Sequence, residues 1–112
     1  MKARLNYVEL PATDVAKTKK FYEAAFGWSL VEFAPTYVGT TTGDVDIGLQ
    51  ADRAEAPKAP LPVIHVENLE TALKFVTAAG GVITKPIFSF PGGRRFHLRD
   101  PSGNELAVWQ TA

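Results

Sequence analysis

The 112-residue chain contains no cysteine, has no net charge and lacks any long apolar run. The missing cysteine excludes disulfides, thiol nucleophiles and thiolate metal sites. Twelve basic residues balanced by twelve acidic ones give no excess of positive charge for binding nucleic acid. No apolar run approaches the roughly 20 residues of a membrane-spanning helix. The first residues, 1–5, open into a strand-like pattern without an apolar signal region, so we expect a soluble cytoplasmic protein.

The first half of the sequence predicts one strand, one helix and three short strands. Residues 5–10 alternate as a strand does, and Thr13 or Asp14 then offers an N-cap for a helix that Gly27 ends. The three later strand-like runs are separated by turn residues and cover 28–33, 37–41 and 45–49. The predicted order is therefore β-α-β-β-β.

The second half repeats this order after residues 51–60, which are rich in alanine, proline and charge and predict a linker. A strand over 61–67 precedes a helix with Asn68 as its N-cap and Gly80-Gly81 at its end. A strand over 82–88 follows. The turn residues 100–104, Asp-Pro-Ser-Gly-Asn, then join the last two strands as an antiparallel hairpin.

The two halves match in residues as well as in element order. A shift of 54 positions places Asp14 on Asn68, Phe21 on Phe75 and Gly27 on Gly81. A cap, an aromatic residue and a terminal glycine in one register indicate an internal duplication. We therefore expect an α+β fold, a single domain over residues 1–112 in which a linker, 51–60, joins two βαβββ repeats, 1–50 and 61–112. The helices should lie outside and the inner sheet faces should form a cleft.

Several motifs resemble the glyoxalase/bleomycin-resistance/dioxygenase group, the vicinal oxygen chelate superfamily. They are Tyr7-Val8-Glu9-Leu10-Pro11-Ala12-Thr13-Asp14, Phe21-Tyr22, Phe26-Gly27-Trp28 and the turn 100–104. The resemblance covers nearly the whole chain and implies the duplicated fold. It also implies a homodimer, because relatives of this length usually dimerise. The group includes isomerases, lyases, dioxygenases, epimerases, thiol transferases and drug-sequestering proteins, so the resemblance does not fix the activity.

The resemblance also shows where metal-dependent members bind their ion, which is on the first and last strands of each repeat. The matching positions here are Tyr7, Gly48, Leu61 and Ala107. None carries the imidazole or carboxylate donor that such a site uses. We therefore predict no metal at the family positions and no cofactor, which disfavours metal-dependent glyoxalase and dioxygenase chemistry.

Strand parity places aromatic and polar side chains on the predicted inner face, a mixture suited to an organic ligand. The predicted ligand-binding residues are Tyr7, Glu9, Asp46, Gly48, Gln50, Leu61, Val63, His65, Glu105, Ala107 and Trp109. Glu9 and His65 are the candidate acid/base pair, but a solvated or ion-paired glutamate and a core histidine would give the same pattern. Trp109 is a candidate for stacking on a planar ligand. For His97 the pattern favours a structural or rim position.

The sequence as a whole favours a metal-independent protein that binds an organic small molecule. One alternative is a lyase, isomerase or dioxygenase with a non-standard site. Another is a drug-sequestering resistance protein, in which Glu9, Asp46 and Glu105 would attract a cationic planar ligand. A small molecule and a second copy of the chain are the expected partners, and neither nucleic acid nor a membrane is expected.

Overall fold

The computed structural model describes residues 1–112 and contains two helices and eight strands in a mixed α+β arrangement. The elements are β1 Ala3–Pro11, α1 Val15–Phe26, β2 Val31–Ala34, β3 Tyr37–Gly39, β4 Asp46–Gln50, β5 Leu61–Val66, α2 Leu69–Ala78, β6 Val82–Phe90, β7 Gly93–Arg99 and β8 Glu105–Thr111. The predicted order of two βαβββ repeats is confirmed. Neither helix is long and apolar enough to cross a membrane.

The chain divides into two compact units. The N-terminal unit comprises Tyr7–Leu61, and the C-terminal unit comprises Met1–Asn6 together with Pro62–Ala112. Residues 51–60 contain neither helix nor strand.

The N-terminal unit has the strand order β2-β3-β4-β1. The strands β1 and β4 run parallel, which requires the crossover that α1 provides, whereas β3 is antiparallel to both of its neighbours. Leu30, Val38 and Leu49 form its buried core, against which Val15 and Tyr22 of α1 pack. One face of this sheet is therefore covered by α1.

The C-terminal unit has the equivalent order β5-β8-β7-β6, with β5 parallel to β8 and the remaining pairs antiparallel. Leu69 and Ala72 of α2 are fully buried and pack on Val66, Phe96 and Val108. The side chains that alternate with these core residues point to the other side of the pleat. We call this side of the sheet, opposite the helix, the helix-distal face of each unit.

The helix caps confirm the duplication. The Asp14 side chain accepts the backbone N–H of Lys17 at 3.0 Å, and Asn68 accepts that of Thr71 at 2.9 Å. Gly27 ends α1 in the left-handed conformation, at φ 70°. The corresponding left-handed residue after α2 is Gly80, at φ 99°, and not the predicted match Gly81. The left-handed residue after the second helix therefore comes one position earlier than the 54-residue shift predicts.

Several strand boundaries differ from those predicted. The strand expected over 28–33 begins only at Val31, because Trp28 stacks on Tyr22 with nearly parallel rings 5.5 Å apart and Leu30 enters the core. The run expected over 37–41 ends at Gly39, and that expected over 45–49 begins at Asp46. The first strand extends to 3–11, the strand at 61–67 ends at Val66, and β6 runs on to Phe90.

Candidate functional site

The helix-distal face of the N-terminal unit is built around two glycines. Gly39 and Gly48 lie directly opposite each other on β3 and β4. The hydroxyls of Tyr7 and Tyr37 are hydrogen-bonded to each other above this bare backbone. A Cβ at position 48 would collide with both hydroxyl oxygens, and one at position 39 would lie 3.4 Å from the Tyr7 oxygen. The two phenols thus occupy the space that a side chain at position 48 would need.

Glu9 lies on the same face, opposite Gly48 in the parallel register of β1 and β4. Only 2% of its surface is exposed, so the acidic group is removed from bulk water. Gln50 lies at the end of β4, where its side-chain oxygen accepts the N–H of Asp52 at 3.0 Å. Tyr37 was not among the residues predicted for the site. Its register with Gln50 places it on this face.

Asp46 has a structural task in the turn between β3 and β4. Its carboxylate accepts hydrogen bonds from the Thr40 hydroxyl and the Thr42 hydroxyl, at 2.7 Å each. It also accepts hydrogen bonds from the backbone N–H groups of Thr42 and Gly43, at 2.8 and 3.0 Å. Burial raises the pKa of Asp46, but these hydrogen bonds outweigh it and hold the pKa below its ordinary value. Four donors leave this carboxylate with little capacity for a ligand.

The helix-distal face of the C-terminal unit is centred on Trp109. The indole N–H donates to the side-chain oxygen of Asn6 at 3.1 Å. The His65 ring meets the indole edge-on at 4.8 Å between centroids and is itself hydrogen-bonded to Thr111 at 2.8 Å. The Phe90 ring lies on another side of the indole, with its centroid 6.2 Å from that of Trp109. Trp109 is therefore half-buried, outside the core under α2, and held in one orientation.

His97 is the buried histidine of this face, with 3% of its surface exposed. Its Nδ1 lies 3.5 Å from a Glu105 oxygen, which also accepts the Thr84 hydroxyl at 3.1 Å. Burial, followed by the positive charges of Arg95 and Lys85, lowers the pKa of His97 to about 4 despite Glu105. The imidazole is thus neutral at pH 7. Phe96 and Leu98, its neighbours in sequence, point into the core as the alternation predicts.

The guanidinium of Arg95 lies over two aromatic rings, 5.3 Å from the centroid of Phe88 and 5.6 Å from that of Phe90. None of these three residues was predicted for the site. The register of β7 with β8 could have indicated Arg95, since it lies opposite Trp109. The predicted residues Val63 and Ala107 are also paired in register and are buried, so they supply an apolar floor.

The donor set does not fit the metal that the resemblance associates with this fold. The four matching positions hold the phenol Tyr7, the glycine Gly48 and two buried apolar residues, Leu61 and Ala107. No group of three or more histidine, cysteine, aspartate and glutamate side chains is arranged to hold an ion. These four positions therefore do not provide the donor set of the metal site that the resemblance implies.

A separate pocket of about 430 Å³ lies in the N-terminal unit, beside Trp28 and the turn after β3. Its lining includes Thr40 and Thr42, whose hydroxyls already donate to Asp46. None of the predicted site residues lines it.

Comparison with known proteins identifies a family. Residues 4–108 match the model of the Glyoxalase/Bleomycin resistance protein/Dioxygenase superfamily. A glyoxylase-like domain-containing protein of Didymella fabae is 29% identical over 119 residues, which cover 94% of this chain and 91% of that protein. The glyoxylase-type protein CFP32 of Mycobacterium tuberculosis is 28% identical over 116 residues. That match covers 94% of this chain but only 44% of CFP32.

Solved structures share the fold at low sequence identity. A Legionella pneumophila structure described as an NAD-dependent benzaldehyde dehydrogenase superposes with a TM-score of 0.78 at 18% identity, covering 96% of this chain and 99% of the other. Methylmalonyl-CoA epimerase from Mycobacterium tuberculosis gives 0.72 at 14% identity, covering 97% and 88%. Likeness at this level establishes the architecture and leaves the chemistry to the site.

Proposed function

Because the chain belongs to the glyoxalase/bleomycin resistance protein/dioxygenase superfamily, we propose that it binds a small organic molecule without a metal at the family positions. Trp109 forms a wall of the binding surface. The observation that carries the proposal is the placement of this indole, half-buried outside the helix-packed core and hydrogen-bonded to Asn6.

A fixed aromatic ring is a good surface for a planar ligand, since little conformational freedom remains to be lost on binding. His65 restrains the indole from one side, and Thr111 restrains His65 in turn. The Phe90 ring adds a further apolar surface beside the indole. The contact of Trp109 with three partners therefore supports stacking of a planar group.

Three naphthalene probes of matched shape test the proposal: 1-naphthol, naphthalene-1-carboxylate and 1-naphthylmethylamine, titrated calorimetrically in the presence of EDTA. We expect saturable binding of at least one probe with a stoichiometry of one per chain. Trp109→Leu should weaken this binding about tenfold or more, as loss of a buried aromatic contact does. Trp28→Leu is the matched control, because Trp28 stacks on Tyr22 of α1 and lines no part of this face.

Two outcomes would contradict the proposal. One is binding that appears only after a divalent metal is added. The other is equal affinity in the Trp109→Leu and Trp28→Leu variants. The three charges of the probes also separate the alternatives, because a drug-sequestering protein that attracts cations would prefer the amine. Asp46 and Glu105 already accept hydrogen bonds within the chain, so no specific observation favours that alternative.

A metal-independent lyase or isomerase is the second candidate, favoured by the buried Glu9 on the face that also carries two phenols. Glu9 and His65 remain the candidate acid/base residues. If a substrate is found, Glu9→Gln should lower kcat while largely preserving affinity. His65→Ala should lower kcat and also weaken binding, because His65 restrains the Trp109 indole.

A further inference from the structure

The pocket beside Trp28 lies in the N-terminal unit, on the side of the sheet that carries α1. Ile47 belongs to its lining and packs against the core under that helix, whereas the next residue, Gly48, faces the two phenols. The pocket volume of about 430 Å³ falls within the roughly 300–1,000 Å³ of small-molecule sites. The pocket is therefore separate from the helix-distal face and large enough for a small ligand.

The Trp28 indole forms an aromatic wall of this pocket and is held in one orientation. It stacks on Tyr22, with ring centroids 5.5 Å apart and an interplanar angle of 4°, and its centroid lies 5.2 Å from that of Phe26. It nevertheless keeps 40% of its surface exposed. A ring braced in this way loses little conformational freedom when a ligand packs against it.

Hydroxyl groups surround much of the remaining pocket, and two of them are free. The Thr40 and Thr42 hydroxyls donate to Asp46 and accept backbone N–H groups, so both are used within the chain. The hydroxyls of Ser29 and Thr41 also line the pocket but make no hydrogen bond to another residue. Each of these two groups can donate one hydrogen bond and accept others from a ligand.

We propose that this pocket binds a pyranose sugar, with Trp28 against a C–H face of the ring and Ser29 and Thr41 bonded to sugar hydroxyls. No charged side chain lines the pocket, which favours a neutral ligand. A sugar carries hydroxyls around its rim that both donate and accept, and C–H groups that suit the negative face of an aromatic ring. A planar aromatic ligand would instead cover the free hydroxyls without bonding to them, which is costly.

Proton–nitrogen NMR tests this assignment, since the chain contains two tryptophans, Trp28 and Trp109, and therefore two indole N–H signals. The probes are the methyl β-pyranosides of glucose, galactose and mannose, with 2-methoxytetrahydropyran as the matched ring that lacks the hydroxyls. We expect at least one glycoside to move the Trp28 signal saturably, with a Kd on the order of 1 mM, and to leave the Trp109 signal in place. The ring without hydroxyls should bind about tenfold more weakly or worse, because its hydrogen bonds to the pocket are lost.

Two substitutions remove one free hydroxyl each without breaking a hydrogen bond within the chain, Ser29→Ala and Thr41→Val. Each should weaken glycoside binding about three- to tenfold, the range of one neutral hydrogen bond. Ser89→Ala is the matched control, because Ser89 is an exposed serine of β6 outside the pocket, and it should leave the affinity unchanged. Trp28→Leu should abolish the binding, and its spectrum assigns the two indole signals.

Three results would overturn the inference. The first is that no glycoside moves the Trp28 signal. The second is that 1-naphthol or 2-methoxytetrahydropyran moves this signal with an affinity equal to that of the glycosides. The third is that both Ser29→Ala and Thr41→Val bind the glycoside as tightly as wild type does. Each of these results leaves the proposed function intact, because the naphthalene probes are tested through Trp109, on a different surface.

Discussion

At the scale of single residues, the missing side chain at position 48 determines the character of the helix-distal face in the N-terminal unit. The close contact of Gly48 with the Tyr7 and Tyr37 oxygens leaves no volume for even a methyl group. Gly48 and Glu9 are paired in the register of β1 and β4. Strand parity could not indicate that two aromatic side chains from other strands fill the space above Gly48, because their approach depends on strand pairing.

Gly48→Ala should therefore destabilise the protein by about 1–3 kcal/mol, the usual cost of forcing extra volume into a packed site. Urea unfolding monitored by circular dichroism measures this cost. In a Tyr7→Phe/Tyr37→Phe background the two oxygens are gone, so the same substitution should cost clearly less. Identical costs in the two backgrounds would show that the methyl group does not meet the hydroxyls, since residues in contact are expected to be non-additive.

His97 shows how burial converts a titratable group into a pH-dependent contribution to stability. Its pKa of about 4 in the folded protein lies below the ordinary value of 6.5. Between these values the unfolded chain binds a proton that the folded imidazole does not. Stability is therefore retained above pH 6.5 and lost as the pH falls towards 4, by up to about 3 kcal/mol from this group.

The His97→Gln variant isolates this contribution. Its free energy of unfolding should fall less steeply than that of wild type between pH 6.5 and 4, so the two curves converge or cross as the solution becomes acidic. Carboxylates that do not contact His97 titrate in both proteins and cancel in the comparison, whereas Glu105, 3.5 Å from the imidazole, contributes to the difference. Parallel curves over this window would mean that His97 is protonated equally easily in the folded and unfolded states.

At the scale of elements, the features fixed by local chemistry are those that the sequence predicted well. Asp14 and Asn68 cap their helices through side chains that act within three residues. The final hairpin turn is equally local, because Asp100 accepts the N–H groups of Ser102 and Asn104. Such contacts need no knowledge of the fold, which is why the repeat and its order were predictable from one sequence.

Features that depend on side-chain contacts outside the capping and hairpin-turn motifs were predicted less well. The strand β2 starts late because Trp28 stacks on a helix residue six positions earlier, and the turn before Asp46 forms because its carboxylate collects four donors. The strand β6 continues through Pro86 with two irregular pairings, a tolerance expected at the edge of a sheet. Strand parity predicted Asp46 as a ligand-binding residue because parity carries no information on the four hydrogen bonds that its carboxylate accepts within the chain.

At the scale of the whole chain, the family fold is retained while the donor atoms at its metal positions are absent. Tyr7 is the only one of the four matching residues with a polar side chain, and its hydroxyl already bonds to Tyr37. Metal sites of the kind that the resemblance implies use imidazole and carboxylate ligands brought together in one place. The four matching positions therefore lack the usual donor set for such an ion.

Tag-free protein incubated with nickel, zinc, manganese and ferrous iron and then desalted should retain no stoichiometric metal by elemental mass spectrometry. Its thermal midpoint should be the same with and without EDTA, because an ion bound to the folded state would raise it. A metal retained at one per chain would contradict this expectation and require donors outside the family positions. Glu9, His65 and Glu105 would then be the first to substitute, whereas Asp46 would have to give up the hydrogen bonds that hold its turn.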